Sequence, residues 1–354
     1  SPANAHMKAI VIHEYGGPDV LIYQDVPDPV AGPGEVVVRV HAVSVNRTLD
    51  VSVRAGNQLQ RGAILPLIPG VDPSGVVTSV GDGVTGHKIG DRVAVLSHAF
   101  STNPGAHAGR ARNAQGQDEM IGIHRPGGAA ELVATPSSHI FPIPDGVPFA
   151  DATVISRHGP TAYNLLVHMA DLQPGEWVMI MGASGNLGTL GIQIAKTLGA
   201  NVIAVAGGDD RVRIGLDLGA DHGINYSTHD LTDEAKRLTG GAGVNVVFDN
   251  IANPETLPKA IASLARHGRL VTAGAHGGPI VPVDFYLVYH NLLKIMGSPG
   301  SRMADLAPCF EAAAAGKLHA RVERIMKLSE AAEAHRMVEN SPGMGKIILD
   351  PTLG

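Results

Sequence analysis

Trp177-Val178-Met179-Ile180-Met181-Gly182-Ala183-Ser184-Gly185-Asn186-Leu187-Gly188 is an apolar run that breaks into a glycine-rich turn. Leu187, Leu190, Gly191, Ile194, Ala195 and Leu198 follow at helical spacing, and Gly199 stops the helix. A strand, a glycine turn, a helix and a second strand within about 30 residues form the context of a dinucleotide-binding unit. Small residues let the backbone approach a pyrophosphate, and the helix N-terminus adds free N–H groups and a positive dipole end. The plain alternative is a βα turn that happens to contain glycines, and the surrounding alternation weighs against it.

Outward from this turn, strand candidates lie at 202–205, 223–226, 244–248, 269–273 and 294–297, with helical patterns between most of them. With the first run this gives six strands in βα alternation, an α/β class with a doubly wound parallel sheet. Residues 7–96 read differently, as a β-rich region whose short runs, such as 35–40 and 76–80, end in Gly and Pro turns. From 97 to 128 the pattern fails. A stretch longer than about 12–15 residues without period is usually functional, or a remnant of something functional. The tail is helical at 305–316 and 329–339 and ends in a strand at 346–350.

Composition removes several classes. The 354 residues carry 27 Lys plus Arg against 33 Asp plus Glu, a net charge of −6, which disfavours a general nucleic-acid binder. Aromatic residues at 4% leave little for base stacking. One cysteine, Cys309, excludes an internal disulfide and a four-cysteine metal site. No apolar run approaches the roughly 18 residues of a membrane span. Residues 1–6, ahead of Met7, read as an expression scar without the regions of a secretory signal, so a cytoplasmic setting is expected.

Cofactor choice is read after the second strand, where an NAD site usually places an acidic residue for the ribose hydroxyls. Here the chain has Ala206-Gly207-Gly208-Asp209-Asp210-Arg211. The small residues leave room for a 2′-phosphate and Arg211 offers it a partner, which favours NADP(H). Asp209 and Asp210 can instead reach the ribose, or simply suit a first helical turn.

The chain resembles the medium-chain dehydrogenase/reductase superfamily, on its zinc-free quinone oxidoreductase and enoyl reductase side. The resemblance runs from Met7 to about Pro351. It is carried by Gly32-Pro33-Gly34-Glu35-Val36, Ser44-Val45-Asn46, Pro69-Gly70-Val71-Asp72-Pro73-Ser74-Gly75, Gly90-Asp91-Arg92-Val93, Thr161-Ala162-Tyr163, the glycine turn, Gly219-Ala220-Asp221 and Gly345-Lys346-Ile347. It implies a GroES-like β-rich catalytic domain over 7–158, completed by 298–354, and a Rossmann domain over 159–297. It further implies a homodimer joined through residues 292–297, an unpaired apolar edge.

The departures from the family matter as much. Zinc-dependent relatives hold catalytic zinc with a cysteine near Asn46-Arg47, a His-Glu pair at Val71-Asp72, and a cysteine or aspartate at Arg157. Of these positions only Asp72 offers a zinc ligand, and Arg157 brings positive charge, so no catalytic zinc is expected. The aperiodic insert resembles the structural-zinc lobe, with Ala108, Ala111 and Ala114 where cysteines would stand. His98, His107 and His124 fit no zinc spacing and read as isolated histidines.

Without a metal, the reaction rests on hydride placement and on donors that stabilise an acceptor oxygen. Asn46, Arg157 and His158 are the expected donors, and Tyr163 is a substitute for the tyrosine that many enoyl reductases carry where this chain has Ser52. An ion pair between Arg157 and Asp72, plugging the vacant metal position, is the competing reading of Arg157. The resemblance places Thr161 and Asn250 near the nicotinamide ribose, with Gly274, Ala275, Gly297 and Ser298 along the nicotinamide. It places Gly182, Ser184, Gly185, Asn186, Leu187 and Gly188 at the pyrophosphate, joined by Lys346, and Gly207, Gly208 and Arg211 at the 2′-phosphate. Three functions stay open: an NADPH-dependent reductase of activated double bonds or quinones, a zinc-free alcohol dehydrogenase or ketone reductase, and a cofactor-binding sensor or scaffold without turnover. The first two act on a small-molecule substrate.

Overall fold

A computed structural model describes residues 5–99, 109–110, 119–275, 277–298, 300–341 and 343–354. The chain forms two compact units, Ser1–Arg157 with Ala320–Gly354, and His158–His319.

In the first unit, a seven-stranded sheet runs in the order Val322–Lys327, Lys346–Asp350, Glu35–Ser44, Ser74–Val80, Arg92–Val95 and Ile140–Pro142, with Leu132–Pro136 also paired to Glu35–Ser44. Val36, Val38 and Val40 enter the core at strand period, while Arg39 between them is exposed. Lys346–Asp350 runs antiparallel to Glu35–Ser44 and sets Ile348 opposite Ser44. That pairing brings Lys346 into the neighbourhood of Asn46.

The second unit holds a six-stranded, all-parallel sheet in the order His222–Asn225, Asn201–Ala206, Trp177–Met181, Val244–Asp249, Leu264–Thr272 and Lys294–Gly297. Numbered along the chain this is third, second, first, fourth, fifth, sixth. The order reverses between the first and fourth strands, the point where ligands bind beyond the carboxyl ends of such sheets. The strands Trp177–Met181, Asn201–Ala206 and Val244–Asp249 are largely apolar, with Val178, Met179, Ile180, Val202, Ile203, Val246, Val247 and Phe248 fully buried, as expected of strands covered on both faces.

Two boundaries depart from the expectation. The return to the first unit comes at Ala320, not at 298, and His158 falls in the second unit. Gln193 explains the later return: its amide donates to His319 O at 2.9 Å and accepts from His319 N at 2.8 Å, which ties the segment to the helix Asn186–Thr197. The helix Leu306–Ala314 likewise buries Leu306, Cys309 and Phe310 within the second unit.

In the aperiodic insert, His98–Ala99 pairs with Gly109–Arg110. Ala108, Ala111, Ala114 and His107 lie outside the described residues. From 119 onward the insert is no open loop: Met120, Ile121 and Ile123 are buried, and Met120 and Ile123 pack with Leu49 and Val71. His124 accepts from Met120 N at 3.0 Å through Nδ1 and meets Arg61 O at 2.6 Å through Nε2, so both ring nitrogens hold the loop. Among the described residues no helix is long and apolar enough to cross a membrane.

Candidate active site

Around Asn46 and Asp72 the first unit carries a buried polar cluster. Asp72 accepts from Ser44 N at 2.8 Å, from Ser44 Oγ and from Asn46 Nδ2 at 3.2 Å. Asp50 accepts from Asn46 N at 2.8 Å, Asn46 Nδ2 at 3.0 Å and Gly70 N at 3.1 Å. Lys346 Nζ donates to Asn46 Oδ1 at 2.6 Å. Burial, then the charge of Asp72, raises Asp50 to about 6. Burial lowers Lys346 to about 8, helped by Arg157 and opposed by Asp72 and Asp50. Burial also holds Arg157 below its ordinary range, against the pull of the two carboxylates. Two carboxylates therefore face two cations.

This geometry corrects three expectations. Asn46 is not an open donor: its amide N–H groups are engaged by Asp50, Asp72 and Ser44 Oγ, and its oxygen by Lys346. Asn46 bridges the cluster. Lys346, expected at the pyrophosphate, is buried in the first unit with its ammonium on Asn46, because the strand pairing carries it there. Arg157 makes no hydrogen bond or ion pair with Asp72 among the described residues, so the expected plug does not form. The two act on each other through space, and the buried Arg157 Nε has no hydrogen-bond partner among the described residues.

In the second unit the glycine turn has the shape a diphosphate needs. Gly182 adopts φ +61°, and a Cβ on Gly188 would stand 2.2 Å from Gly182 O. Any larger residue at 188 would push the helix off the strand. Gly185 caps the helix Asn186–Thr197 in extended conformation without a side-chain hydrogen bond, which leaves the first N–H groups to face a ligand. The residues Ser184, Leu187, Gly207, Gly208, Arg211, Asn250, Gly274, Ala275 and Ser298 follow the carboxyl ends of the parallel strands, and Gly297 ends the last of them. Thr161 and Tyr163 sit in the last turn of the helix Phe149–Tyr163, and His158 lies earlier on it. Tyr163 packs edge-on against His168, with ring centroids 5.8 Å apart, and burial raises its hydroxyl above the ordinary range.

Gly207, Gly208, Asp209, Asp210 and Arg211 line a cavity of about 440 Å³. Asp209 Oδ1 accepts from Asn225 Nδ2 at 2.9 Å, and Ser227 Oγ donates to Gly207 O at 2.8 Å. A side chain at 207 would meet the Tyr226 hydroxyl at 2.7 Å. Asn225, Tyr226 and Ser227 were not singled out from the sequence. Their signal was their place just after the third strand, next to the second in the sheet.

Residues 32–145 match the family described as Alcohol dehydrogenase GroES-like domain, and residues 187–315 the one described as Zinc-binding dehydrogenase. A 2-haloacrylate reductase from Burkholderia sp is 30% identical, with 97% of this chain and 98% of the relative covered. A quinone oxidoreductase from Rattus norvegicus is 30% identical, with 97% of each covered. The crystal structure of an NAD-dependent alcohol dehydrogenase superposes with a TM-score of 0.84 at 36% identity, covering 97% of this chain and 99% of that one. A GroES-like β unit and a doubly wound dinucleotide unit in one chain define an oxidoreductase of the kind that binds a nicotinamide cofactor. The chain belongs to the medium-chain dehydrogenase/reductase superfamily, as a quinone oxidoreductase-like member.

Proposed function

We propose that this chain is an NADPH-dependent, zinc-independent reductase that transfers hydride to an activated C=C bond or a quinone. The carrying observation is the charge-compensated cluster of Asp50, Asp72, Arg157 and Lys346, which ends in a buried guanidinium N–H without a partner among the described residues. A zinc ion does not suit this donor set. The cluster offers carboxylates as its sole zinc-type ligands, and the charges of Arg157 and of the buried Lys346 already oppose theirs.

The glycine turn at 182–188 would hold the pyrophosphate. Gly207, Gly208 and Arg211 would take the adenosine 2′-phosphate, with Asp209 already turned to Asn225. Thr161, Asn250, Gly274, Ala275, Gly297 and Ser298 would line the nicotinamide riboside. A nicotinamide bound there would supply the hydride for the β carbon of the acceptor. Arg157, with His158 beside it in sequence, holds the acceptor oxygen as negative charge grows there. Asn46 keeps the carboxylates in place, and solvent returns the proton at the α carbon. A second reading, reduction of a simple ketone with Arg157 polarising the carbonyl, draws on the alcohol dehydrogenase among the similar structures.

Oxidation of NADPH and NADH is measured with an enone, a quinone and a simple ketone in turn, on wild-type protein and on Arg211→Ala. The expected result is turnover of enone or quinone with NADPH, and a rise in KM for NADPH of about tenfold in the variant, with NADH unchanged. Preference for NADH untouched by Arg211→Ala would overturn the cofactor assignment. Activity that follows bound zinc and disappears with chelators would overturn the zinc-independent chemistry.

A further inference from the structure

Asn164 follows Tyr163 directly and is fully buried, at 0% exposure. Its amide nitrogen donates to Ser298 Oγ at 3.0 Å and to Gly300 O at 3.3 Å. Ser298 is tied a second time, through its own N–H to Thr272 O at 3.0 Å. Gly300 N reaches Ser298 Oγ at 3.4 Å, and Thr272 Oγ1 closes a turn onto Gly274 O at 3.2 Å. One amide thus anchors a network that joins the carboxyl ends of the fifth and sixth strands.

The other half of that amide is unsatisfied: Asn164 Oδ1 is buried with no hydrogen-bond partner among the described residues. For stability alone this is a poor arrangement. An apolar side chain of similar shape would fill the space without an unmet acceptor. What the amide does, and a leucine cannot, is fix the positions of Ser298 and Gly300.

We propose that Asn164 is a positioning residue for hydride transfer: it holds Ser298 and Gly300 in register with the nicotinamide end of the cofactor. This rests on the reading above that places Gly297 and Ser298 along the nicotinamide. The adenosine end, at 207–211, lies after the second strand and does not depend on Asn164.

The test uses the full chain with Asn164→Leu and, independently, Ser298→Ala. Calorimetry compares NADPH with adenosine 2′,5′-bisphosphate, which has the adenosine and its phosphates but no nicotinamide. In Asn164→Leu, adenosine 2′,5′-bisphosphate should bind within about twofold of wild type while NADPH weakens about tenfold. The kcat should fall about 10²-fold, the cost of a small misplacement of reacting groups. Ser298→Ala should shift both quantities in the same direction by less, and it carries the test if Asn164→Leu does not fold. Equal weakening of the two ligands, or unchanged NADPH affinity and kcat, would overturn the inference while leaving the functional reading standing. Wild-type protein that binds the two ligands alike and oxidises no NADPH would overturn that reading, and the inference with it.

Discussion

Lys346 Nζ donates to Asn46 Oδ1 across 2.6 Å, between two buried side chains that stand 300 positions apart in sequence. The bond sets the face of the Asn46 amide. With its oxygen turned to the ammonium, its nitrogen must address Asp50 and Asp72. A residue that looked like a substrate donor is thereby committed to holding two carboxylates.

That commitment has a pH signature. Lys346 titrates near 8 in the folded chain against an ordinary 10.5. Between those values the unfolded chain holds a proton that the folded chain lacks, so stability gains as pH rises through the window, by about 3 kcal/mol. Asp50 has the opposite sign: with its pKa raised from 3.8 to about 6, the folded chain holds the extra proton, and stability is lost as pH rises between the two. Urea unfolding of wild type, Lys346→Met and Asp50→Asn across both windows should show each slope disappear in its own variant. Parallel curves for all three would contradict the account.

Arg157→Ala should lower kcat by about 10²–10³, the usual cost of one oxyanion donor. NADPH affinity should stay nearly intact, because Arg157 is no part of the glycine turn at 182–188. Single-turnover kinetics beside cofactor titration separates the two effects. An unchanged kcat would leave His158 as the remaining donor.

Gly188→Ala and Gly208→Ala should behave differently. A Cβ at 188 meets Gly182 O at 2.2 Å, so that variant should lose about 1–3 kcal/mol of stability. It should lose nucleotide binding as well. A Cβ at 208 meets nothing within 4 Å, so Gly208→Ala should keep its melting temperature and weaken NADPH alone. A fall in melting temperature for Gly208→Ala would argue against open space there.

Among the described residues the strand Lys294–Gly297 pairs on one side only, with Leu264–Thr272, and Ile295 on it is 46% exposed. We propose that a second copy covers this edge, since such edges invite pairing. Light scattering should give a dimer for wild type and a monomer for Ile295→Lys. A monomeric wild type at micromolar concentration would refute the pairing.

Most of the six parallel strands were legible because they carry a short apolar run closed by a turn residue. The exception is instructive. Leu264–Thr272 begins five residues earlier than the 269–273 expected, because Arg266, His267 and Gly268 interrupt its apolar pattern and His267 adopts φ +63°. The return at Ala320 was not legible, since Gln193 and His319 meet across 126 positions. Asn46, Asp72 and Arg157 were found from sequence, but their division of labour was not. That depends on Lys346, whose side chain is brought in by strand pairing and leaves no local trace.

The first unit is discontinuous, and this orders events during synthesis. All of 158–319 leaves the ribosome before Lys346 exists, so the second unit can fold while the first still lacks a strand. Until Lys346–Asp350 docks, the flank of Glu35–Ser44 it will occupy is an open template for other chains, and Asp50 and Asp72 lack the ammonium that balances them. Docking of Lys346–Asp350 thus completes the sheet and balances its interior charge in one step, and a nascent chain stalled before that step is the form most exposed to aggregation and proteolysis.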